Sequence, residues 1–506
     1  MTLARTWSVG LAGVTGAMVE VEVDMSAGLP GVVLVGLPDA VVRQSVDRVR
    51  AAVVNTGAAW PMRRITIGLS PASMPKQGSG FDLALAAAVL AAAGTLPAEA
   101  ADGLVLLGEL GLDGSVRPVR GVLPAVLAAA RAGHATVAVP AGNADEAALV
   151  AGVDVLAVAT LGDLVDHLSG RTRLAPHVRG PLPPPAPAPD LADVVGQAAG
   201  RRAVEVAAAG GHHLYLTGPP GAGKTMLAER LPGLLPVLDE EAALEVTAIH
   251  SVAGTLPPGA PLVGRPPFEA PHHSATMAAL VGGGSGAIRP GALCRAHRGV
   301  LFLDEAPEFP RATLDTLRQP LERGAVTISR AAGSATFPCR AQLVLAANPC
   351  PCASAAGDVA CTCSPLERRR YRSRLSGPLL DRIDLRVELP PVTRAAWLAA
   401  DVTPEPTATV AARVAAAREA AAARLRGTGL SLNSQVPGRL LRERWPLPRT
   451  ALALAERALD RGLLSVRGLD RVLRVAWTLA DLAGRRVPGG DDVAEALGMR
   501  LQRAAA

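Results

Sequence analysis

The clearest chemical signal in this chain is a glycine-rich turn between an apolar run and a helix, in HLYLTGPPGAGKTMLAERL. Glycines allow backbone N–H groups to surround phosphate oxygens, and the helix N-terminus adds partial positive charge. The spacing G-x-x-x-x-G-K-[ST] predicts that Lys224 reaches the β- and γ-phosphates of a nucleotide and that Thr225 holds Mg²⁺. The predicted nucleotide-binding residues are Gly218, Pro219, Pro220, Gly221, Ala222, Gly223, Lys224, Thr225 and Met226.

Two later apolar runs end in polar residues that suit the same site. Asp304 and Glu305 follow the apolar run in GVLFLDEAPEF, and Asn348 follows the apolar run in AQLVLAANP. We expect Asp304 to bind Mg²⁺, directly or through water, and Glu305 to polarise the attacking water. Asn348 could orient that water or sense the γ-phosphate. In this order along the chain, the residues predict ATP hydrolysis.

Two arginines are candidates for a catalytic role. Arg382, in SGPLLDRIDLRVEL, precedes a predicted strand. It could form a salt bridge with Asp381 or Asp384, or it could act as an arginine finger on a neighbouring subunit's ATP, which requires a ring. Arg467, early in a C-terminal helix, could contact the γ-phosphate from a lid.

Four of the six cysteines follow Asn348 directly: Cys350, Cys352, Cys361 and Cys363. Two C-x-C pairs can surround Zn²⁺ tetrahedrally and hold a small loop that has no core of its own. A redox pair is disfavoured in a reducing compartment. We therefore predict a structural zinc site, and we expect Cys294 and Cys339 to be ordinary buried residues.

Two polar segments have more than one interpretation. ERRRYRSR, after the cysteines, is either a solvated basic turn or a phosphate-binding patch in which Tyr371 stacks on a base. His272 and His273, in PHHSAT, could be metal ligands. Because the sequence places no acidic or cysteine residue close by, a loop that contacts DNA or a neighbouring subunit is favoured.

Length, charge and hydrophobic patterning limit the number of domains and the kinds of partner that the chain can have. The chain has 506 residues, which predicts two or three domains, and its net charge of +6 permits a polyanionic partner. Only Lys76 and Lys224 are lysines, and the other 49 basic residues are arginines. The apolar run at 83–93 is too short to cross a bilayer. We expect a cytoplasmic protein without membrane contact.

The predicted strands and helices that position these residues indicate an α/β fold class, and the chain divides into several domains. We predict an N-terminal α/β domain over 1–170, a proline-rich linker over 171–189, an α/β nucleotide-binding core over 190–392 and a helical domain over 393–506. The core carries the cysteine-rich insertion at 350–363.

Several segments together resemble the Mg-chelatase-like ComM/YifB family of AAA+ ATPases. They are DVVGQAAGRRAVEVAAAGGHHLYLTGPPGAGKTMLAERLPGLLP, PFEAPHHSATMAALVGGG, RPGALCRAHRGVLFLDEAPEF, NPCPC and LSGPLLDRIDL. The resemblance implies a P-loop AAA+ core, a helical lid and a homohexameric ring. It also assigns the catalytic roles: Walker A for Lys224 and Thr225, Walker B for Asp304 and Glu305, sensor 1 for Asn348, arginine finger for Arg382 and sensor 2 for Arg467.

The function that the resemblance implies is a DNA helicase that promotes branch migration during natural transformation. Related magnesium-chelatase motors suggest the alternative, an ATPase that remodels a protein partner.

The N-terminal domain resembles the proteolytic domain of Lon-type proteases, a ribosomal S5 domain 2-like fold that uses a Ser–Lys dyad. Here the nucleophile's place falls at Gly80 and the catalytic lysine's place at Leu123. Ser79 is one position away, and Lys76 is the nearest lysine. A serine without a base is a weak nucleophile, so we predict a non-proteolytic domain. Lys76 is either a phosphate contact or, as we favour, an exposed loop residue.

Overall fold

A computed structural model describes residues 2–180, 188–256, 259, 262–284, 288–330, 333–354, 361–391 and 404–501. It contains two α/β units, each built on its own sheet, followed by a group of helices. The predicted fold class is therefore confirmed. Parts of the predicted linker, of the cysteine-rich insertion and of the start of the C-terminal domain lie outside the described residues.

The N-terminal unit contains a seven-stranded mixed sheet in the order β3-β4-β2-β1-β5-β8-β9 and a separate β6–β7 pair. Its strands are β1 (Thr2–Ala12), β2 (Thr15–Ser26), β3 (Gly31–Val35), β4 (Arg64–Ser70), β5 (Leu104–Leu106), β6 (Glu109–Leu110), β7 (Val116–Arg117), β8 (Thr136–Pro140) and β9 (Asp154–Val158). In β2, Val19, Val21 and Val23 are fully buried, whereas Glu20 and Glu22 on the other face are half-buried. This period-two alternation is why the segment forms a half-buried strand.

Five helices pack on this sheet: α1 (Ala40–Asn55), α2 (Asp82–Ala92), α3 (Val122–Arg131), α4 (Ala144–Ala147) and α5 (Leu161–Leu168). The apolar run that we judged too short for a membrane is α2, and all of its residues are buried in the core. Its first residue, Asp82, is paired with Arg48 through two hydrogen bonds of 2.8 and 3.0 Å. In the part of the chain that the structure describes, no helix is long and apolar enough to span a membrane.

The second unit has a five-stranded parallel sheet in the order β11-β14-β17-β10-β18. The strands of this unit, including two hairpins, are β10 (Leu214–Thr217), β11 (Phe268–Glu269), β12 (Gly282–Gly283), β13 (Arg289–Pro290), β14 (Val300–Leu303), β15 (Ala325–Arg330), β16 (Gly333–Pro338), β17 (Gln342–Ala347) and β18 (Leu385–Glu388). Helices cover both faces, so the central strands are continuous apolar runs. The carboxyl ends of β14, β17 and β10 meet at one edge, where ligands bind in such sheets.

The helices of this unit are α6 (Ala198–Gly210), α7 (Lys224–Leu234), α8 (Glu240–Ala253), α9 (Met277–Val281), α10 (Ala292–Arg295), α11 (Arg311–Asp315), α12 (Arg318–Arg323), α13 (Pro365–Ser373) and α14 (Gly377–Leu380). The C-terminal helices are α15 (Thr407–Arg424), α16 (Gly438–Arg444), α17 (Arg449–Asp460), α18 (Val466–Leu482) and α19 (Gly490–Gly498). They share one hydrophobic core with α6 and β10, in which Trp477 of α18 is buried. The C-terminal helices are therefore fixed to the sheet of the second unit by packing.

Candidate functional site

The glycine-rich turn connects β10 to the start of α7, as the sequence predicted. Gly221 and Gly223 have φ values of 76° and 86°, and a Cβ at either position would meet only open space. At Gly218 a Cβ would lie 2.6 Å from the carbonyl oxygen of Leu389. The backbone of the turn thus curls around an open cradle, and this fits a bound phosphate chain.

Lys224 lies at the base of this cradle and is buried. Its ammonium group donates to the carbonyl oxygens of Gly218 at 2.7 Å and Pro219 at 2.9 Å, and to Oδ1 of Asn348 at 3.0 Å. Burial lowers the pKa of Lys224, and Asp304 and Glu305 oppose that effect. The turn therefore holds the ammonium group next to the end of β17, where the sequence placed the γ-phosphate sensor.

Asp304 and Glu305 follow directly after β14. Oγ1 of Thr225 donates to Oδ2 of Asp304 at 2.9 Å, so the hydroxyl and carboxylate predicted to hold Mg²⁺ converge. Both are hard oxygen ligands, which Mg²⁺ prefers, and the donor set fits that ion. Glu305 has a left-handed backbone with φ of 49°, and half of its side chain is exposed.

Among the described residues, the hydrogen bonds and ion pairs of the two candidate arginines are with residues outside this cradle. Arg382 forms an ion pair with Glu322, rather than with Asp381 or Asp384, and donates to the carbonyl oxygen of Pro378 at 2.7 Å. Its Nε makes no hydrogen bond to any described residue.

Asp384 is engaged elsewhere, by Arg471 at 2.6 Å. The side chain of Arg467 is 83% exposed and lies 3.8 Å from Asp381. Arg467 is therefore available to a ligand that approaches from outside its own helix.

The four cysteines that follow Asn348 form one cluster, although residues 355–360 between them lie outside the described part of the chain. All four Sγ atoms lie within 4.8 Å of one another, and the closest pairs are 3.2 to 3.5 Å apart. A tetrahedral zinc ion with Zn–S bonds of about 2.3 Å separates its sulfurs by about 3.8 Å. A small adjustment would produce that geometry, so the donor set fits zinc.

The environments of these thiols differ. Burial raises the pKa of Cys350, whereas the pKa of Cys352 is lowered, first of all by a hydrogen bond from Cys350. Cys294 and Cys339 are buried in the core of the second unit, as expected.

The arginine-rich segment forms α13, which begins directly after the cysteine cluster at a capping box of Ser364 and Glu367. Tyr371 is only 4% exposed, and burial raises its pKa. The prediction that Tyr371 stacks on a base is therefore wrong, because its ring belongs to the core. Arg369 and Arg370 are exposed on the outer face of α13.

His273, which the sequence favoured as part of a loop that contacts DNA or a neighbouring subunit, lies beside one of the acids predicted to be catalytic. Nδ1 of His273 is 3.3 Å from Oε2 of Glu305. The sequence gave no acidic companion for His273 because the two residues are far apart along the chain. The two residues meet because β11 pairs in parallel with β14. The segments that follow these two strands therefore lie at the same edge of the sheet.

The segments of the N-terminal unit that resemble the catalytic segments of Lon-type proteases border a cavity of about 540 Å³, which residues of both units line. Ser79 donates a hydrogen bond to the carboxylate of Glu109, and Leu123 is fully buried. Lys76 is also fully buried, and its ammonium group donates to the carbonyl oxygen of Pro71. Lys76 is therefore neither an exposed loop residue nor accessible to a phosphate.

Comparison with known proteins places three family models along the chain. The model "Magnesium chelatase, subunit ChlI" matches residues 190–397, "Subunit ChlI of Mg-chelatase" matches 21–143, and "Magnesium chelatase, subunit ChlI C-terminal" matches 404–500. The three matches cover part of the first sheet, the second sheet and the C-terminal helices, so the similarity is not confined to the nucleotide site.

Similar proteins span nearly the whole chain. An uncharacterized protein of Mycobacterium tuberculosis is 59% identical over 99% of both chains. The uncharacterized protein YifB of Escherichia coli is 42% identical over 95% of this chain and 94% of its own. The competence protein ComM of Haemophilus influenzae is 41% identical over 99% of this chain and 98% of its own.

A shorter similarity concerns Lon protease 2 of Bacillus subtilis, which is 30% identical over 19% of this chain and 18% of its own. The full-length similarities and the three family models agree with the resemblance seen in the sequence. The chain belongs to the Mg-chelatase-like ComM/YifB family of AAA+ ATPases.

Proposed function

We propose that this chain hydrolyses ATP at the carboxyl edge of its parallel sheet. The observation that carries the proposal is a pair of long-range contacts. Lys224 of the glycine-rich turn contacts Asn348 after β17, and Thr225 contacts Asp304 after β14. These residues are 124 and 79 positions apart, respectively, and hydrolysis of a Mg²⁺-bound nucleotide requires this set at one point.

Each side chain has a role that follows from its position. Lys224 exchanges its carbonyl partners for the β- and γ-phosphate oxygens. Thr225 and Asp304 hold Mg²⁺, which supplies charge neutralisation to the transferring phosphoryl group. Glu305 accepts a proton from the attacking water, and Asn348 orients that water.

Two variants test this assignment. We expect Lys224→Ala to lose ATP binding, and Glu305→Gln to bind ATP without hydrolysing it. Nucleotide binding and phosphate release are measured on the same preparations. Turnover by Glu305→Gln at the wild-type rate would exclude Glu305 as the base.

The proposed active form is a homohexameric ring. In the single chain, Arg382 pairs with Glu322, whose side chain is 63% exposed, and an ion pair at the surface is weak enough to be exchanged for a ligand outside the chain. We assign it to the ATP of the neighbouring subunit. Arg467, exposed at the start of α18, is assigned to the γ-phosphate as sensor 2.

The proposed substrate is DNA, and the proposed activity is a helicase that promotes branch migration. Arg369, Arg370 and Arg372 are exposed on α13, which suits a phosphate backbone. One relative is named a competence protein, and this name agrees with the proposed role in natural transformation.

The experiment compares ATP hydrolysis with branched DNA, with single strands and without nucleic acid. We expect DNA to stimulate hydrolysis and the double variant Arg369→Ala/Arg370→Ala to lose that stimulation. Arg426→Ala/Arg461→Ala, two exposed arginines of the C-terminal region, serves as the control. An equal rate of hydrolysis with and without DNA would favour the alternative, a chelatase-type motor that remodels a protein partner.

The cysteine cluster is proposed to hold a structural zinc ion. Cys350 is buried directly behind the sensor Asn348, and Cys363 immediately precedes the cap of α13. The metal would connect the γ-phosphate sensor to the arginine-rich helix. Four reduced thiols agree with the cytoplasmic location that we propose.

A further inference from the structure

Arg471 of α18 contacts the backbone of the arginine that we assign to the neighbouring subunit's ATP. Its Nη1 carries two hydrogens, which are donated to the carbonyl oxygen of Arg382 at 3.1 Å and to Oδ1 of Asp384 at 2.6 Å. Arg467 lies four residues earlier on the same helix, and residues at this spacing share one face. One face of α18 therefore carries both the candidate sensor 2 and a clamp on the backbone of Arg382.

The turn between α14 and β18 is also held on both sides of this clamp. The N–H of Arg382 donates to the carbonyl oxygen of Leu379 at 2.9 Å. The carbonyl oxygen of Ile383 accepts from Nη1 of Arg500 at 2.5 Å, and the Ile383 side chain is fully buried. Arg471 holds the peptide oxygen of Arg382 itself, so it fixes the point from which that side chain starts.

Asp384 keeps the guanidinium group of Arg471 in place. The Asp384 carboxylate is buried, and its Oδ2 lies 3.3 Å from Nδ1 of His212. The ring of His212 is in turn 2.8 Å from Oγ1 of Thr478, two turns further along α18. Burial raises the pKa of Asp384, but His212 and Arg471 outweigh that effect and hold it below its usual range. Asp384 therefore stays charged beside Arg471.

Attachment of α18 to the second unit does not depend on this ion pair alone. The hydrophobic core that α18 shares with α6 and β10 already joins them. A buried ion pair adds little net stability compared with apolar side chains of similar volume. A hydrogen-bond donor is needed, however, to hold a backbone carbonyl oxygen in one position. The contacts of Arg471 therefore suit a role in geometry.

We propose that Arg471 is a positioning residue for Arg382, and that it sets the reach of this side chain towards the ATP of the neighbouring subunit. The inference rests on the proposed function, in which Arg382 is the arginine finger. Because Arg467 on the same helix is assigned to a γ-phosphate, a movement of α18 at one nucleotide also moves the backbone of the finger that serves the next one.

The expected effect is smaller than that of removing the finger. A displacement of about 1 Å at a catalytic group can cost about a hundredfold in rate, and a whole arginine finger contributes about a thousandfold or more. We therefore expect Arg471→Met to lower kcat by about 10- to 100-fold. ATP binding should stay near that of the wild type, because the two hydrogen bonds of Arg471 are with residues outside the phosphate cradle.

The test measures binding and initial rates of hydrolysis of radiolabelled ATP by full-length wild type, Arg471→Met, Arg382→Ala and the double variant. In the Arg382→Ala background, Arg471→Met should change the rate by less than about twofold, because no finger is left to position.

Arg424→Met is the matched control. Arg424 pairs with Asp481 of the same helix at 2.5 Å, and its side chain is 15% exposed, against 16% for Arg471. Its loss removes a comparable ion pair from α18 without touching the Arg382 turn. We expect Arg424→Met to unfold at a lower temperature and to keep its hydrolysis within about twofold of the wild type.

A wild-type kcat in Arg471→Met would overturn the inference, as would an equal loss of hydrolysis in Arg424→Met. A further loss in the double variant, beyond that of Arg382→Ala, would also overturn it, because Arg471 would then act on something other than the finger. Full activity of Arg382→Ala would instead refute the proposed arginine finger. Thermal unfolding identifies any variant that has lost its fold. If Arg471→Met does not fold, Arg471→Gln/Asp384→Asn carries the test, because it leaves no carboxylate buried without a cation.

Discussion

Replacing Arg382 with alanine separates a ring motor from an isolated ATPase. If this arginine completes the site of a neighbouring subunit, Arg382→Ala should bind ATP nearly normally and hydrolyse it far more slowly. Arginine fingers contribute a factor on the order of a thousand or more to kcat. That factor corresponds to about 4 kcal/mol of transition-state stabilisation.

Any loss of folding stability in Arg382→Ala should be much smaller than this loss of transition-state stabilisation. In its own chain Arg382 pairs with Glu322, whose side chain is 63% exposed. A pair of this kind contributes at most about 1 kcal/mol to the free energy of unfolding. The expected loss of hydrolysis is therefore several times larger, in free energy, than the expected loss of stability.

The assay measures steady-state phosphate release, ATP binding and thermal unfolding on the same variants. Glu322→Gln is the matched control, because it removes the ion pair and leaves the arginine in place. We expect Glu322→Gln to retain hydrolysis. A large loss in this control would mean that the pair within one chain, and not the arginine finger, supports activity.

Mixing Arg382→Ala with Lys224→Ala gives a sharper result. Each variant is expected to be inactive alone, but a mixed ring contains interfaces with an intact Lys224 on one side and an intact Arg382 on the other. Recovery of hydrolysis would place the arginine in trans, provided that single interfaces can act. Full activity of Arg382→Ala alone would refute the reasoning.

Two further predictions concern the cysteine cluster and the N-terminal core. Purified protein should contain about one zinc per chain by metal analysis, and Cys350→Ser should lose it because three thiolates remain; native protein without metal and with four freely titratable thiols would contradict the site. Arg48→Ala should lower the free energy of unfolding by about 3–5 kcal/mol in denaturant titrations, because it leaves the buried Asp82 without its ion-pair partner. Arg50→Ala, an exposed arginine on the same helix, should change it by less than about 0.5 kcal/mol, and equal effects of the two variants would disprove the role of the pair.

The sequence by itself determined the parts of the site that are local. The strand, the turn and the helix that carry Lys224 and Thr225 are contiguous, so the spacing of glycines predicts the phosphate cradle directly. Asp304 and Asn348 end continuous apolar runs, and parallel strands bring such ends to one edge. The two C-x-C pairs likewise predicted a thiol cluster, since each pair is held together by the chain itself.

Only the tertiary structure decided which side chains from distant segments meet. The contact of His273 with Glu305 depends on the parallel pairing of β11 with β14. Lys76 has a charged side chain and Tyr371 lies in an arginine-rich segment, so the sequence favours the surface for both. Both are nevertheless buried, because neighbouring elements pack over them. Arg382 pairs with Glu322, 60 residues away, rather than with the aspartates beside it. Burial and long-range pairing depend on how the helices and strands pack together. Hydrophobic patterns and motif spacing within one segment do not determine that packing.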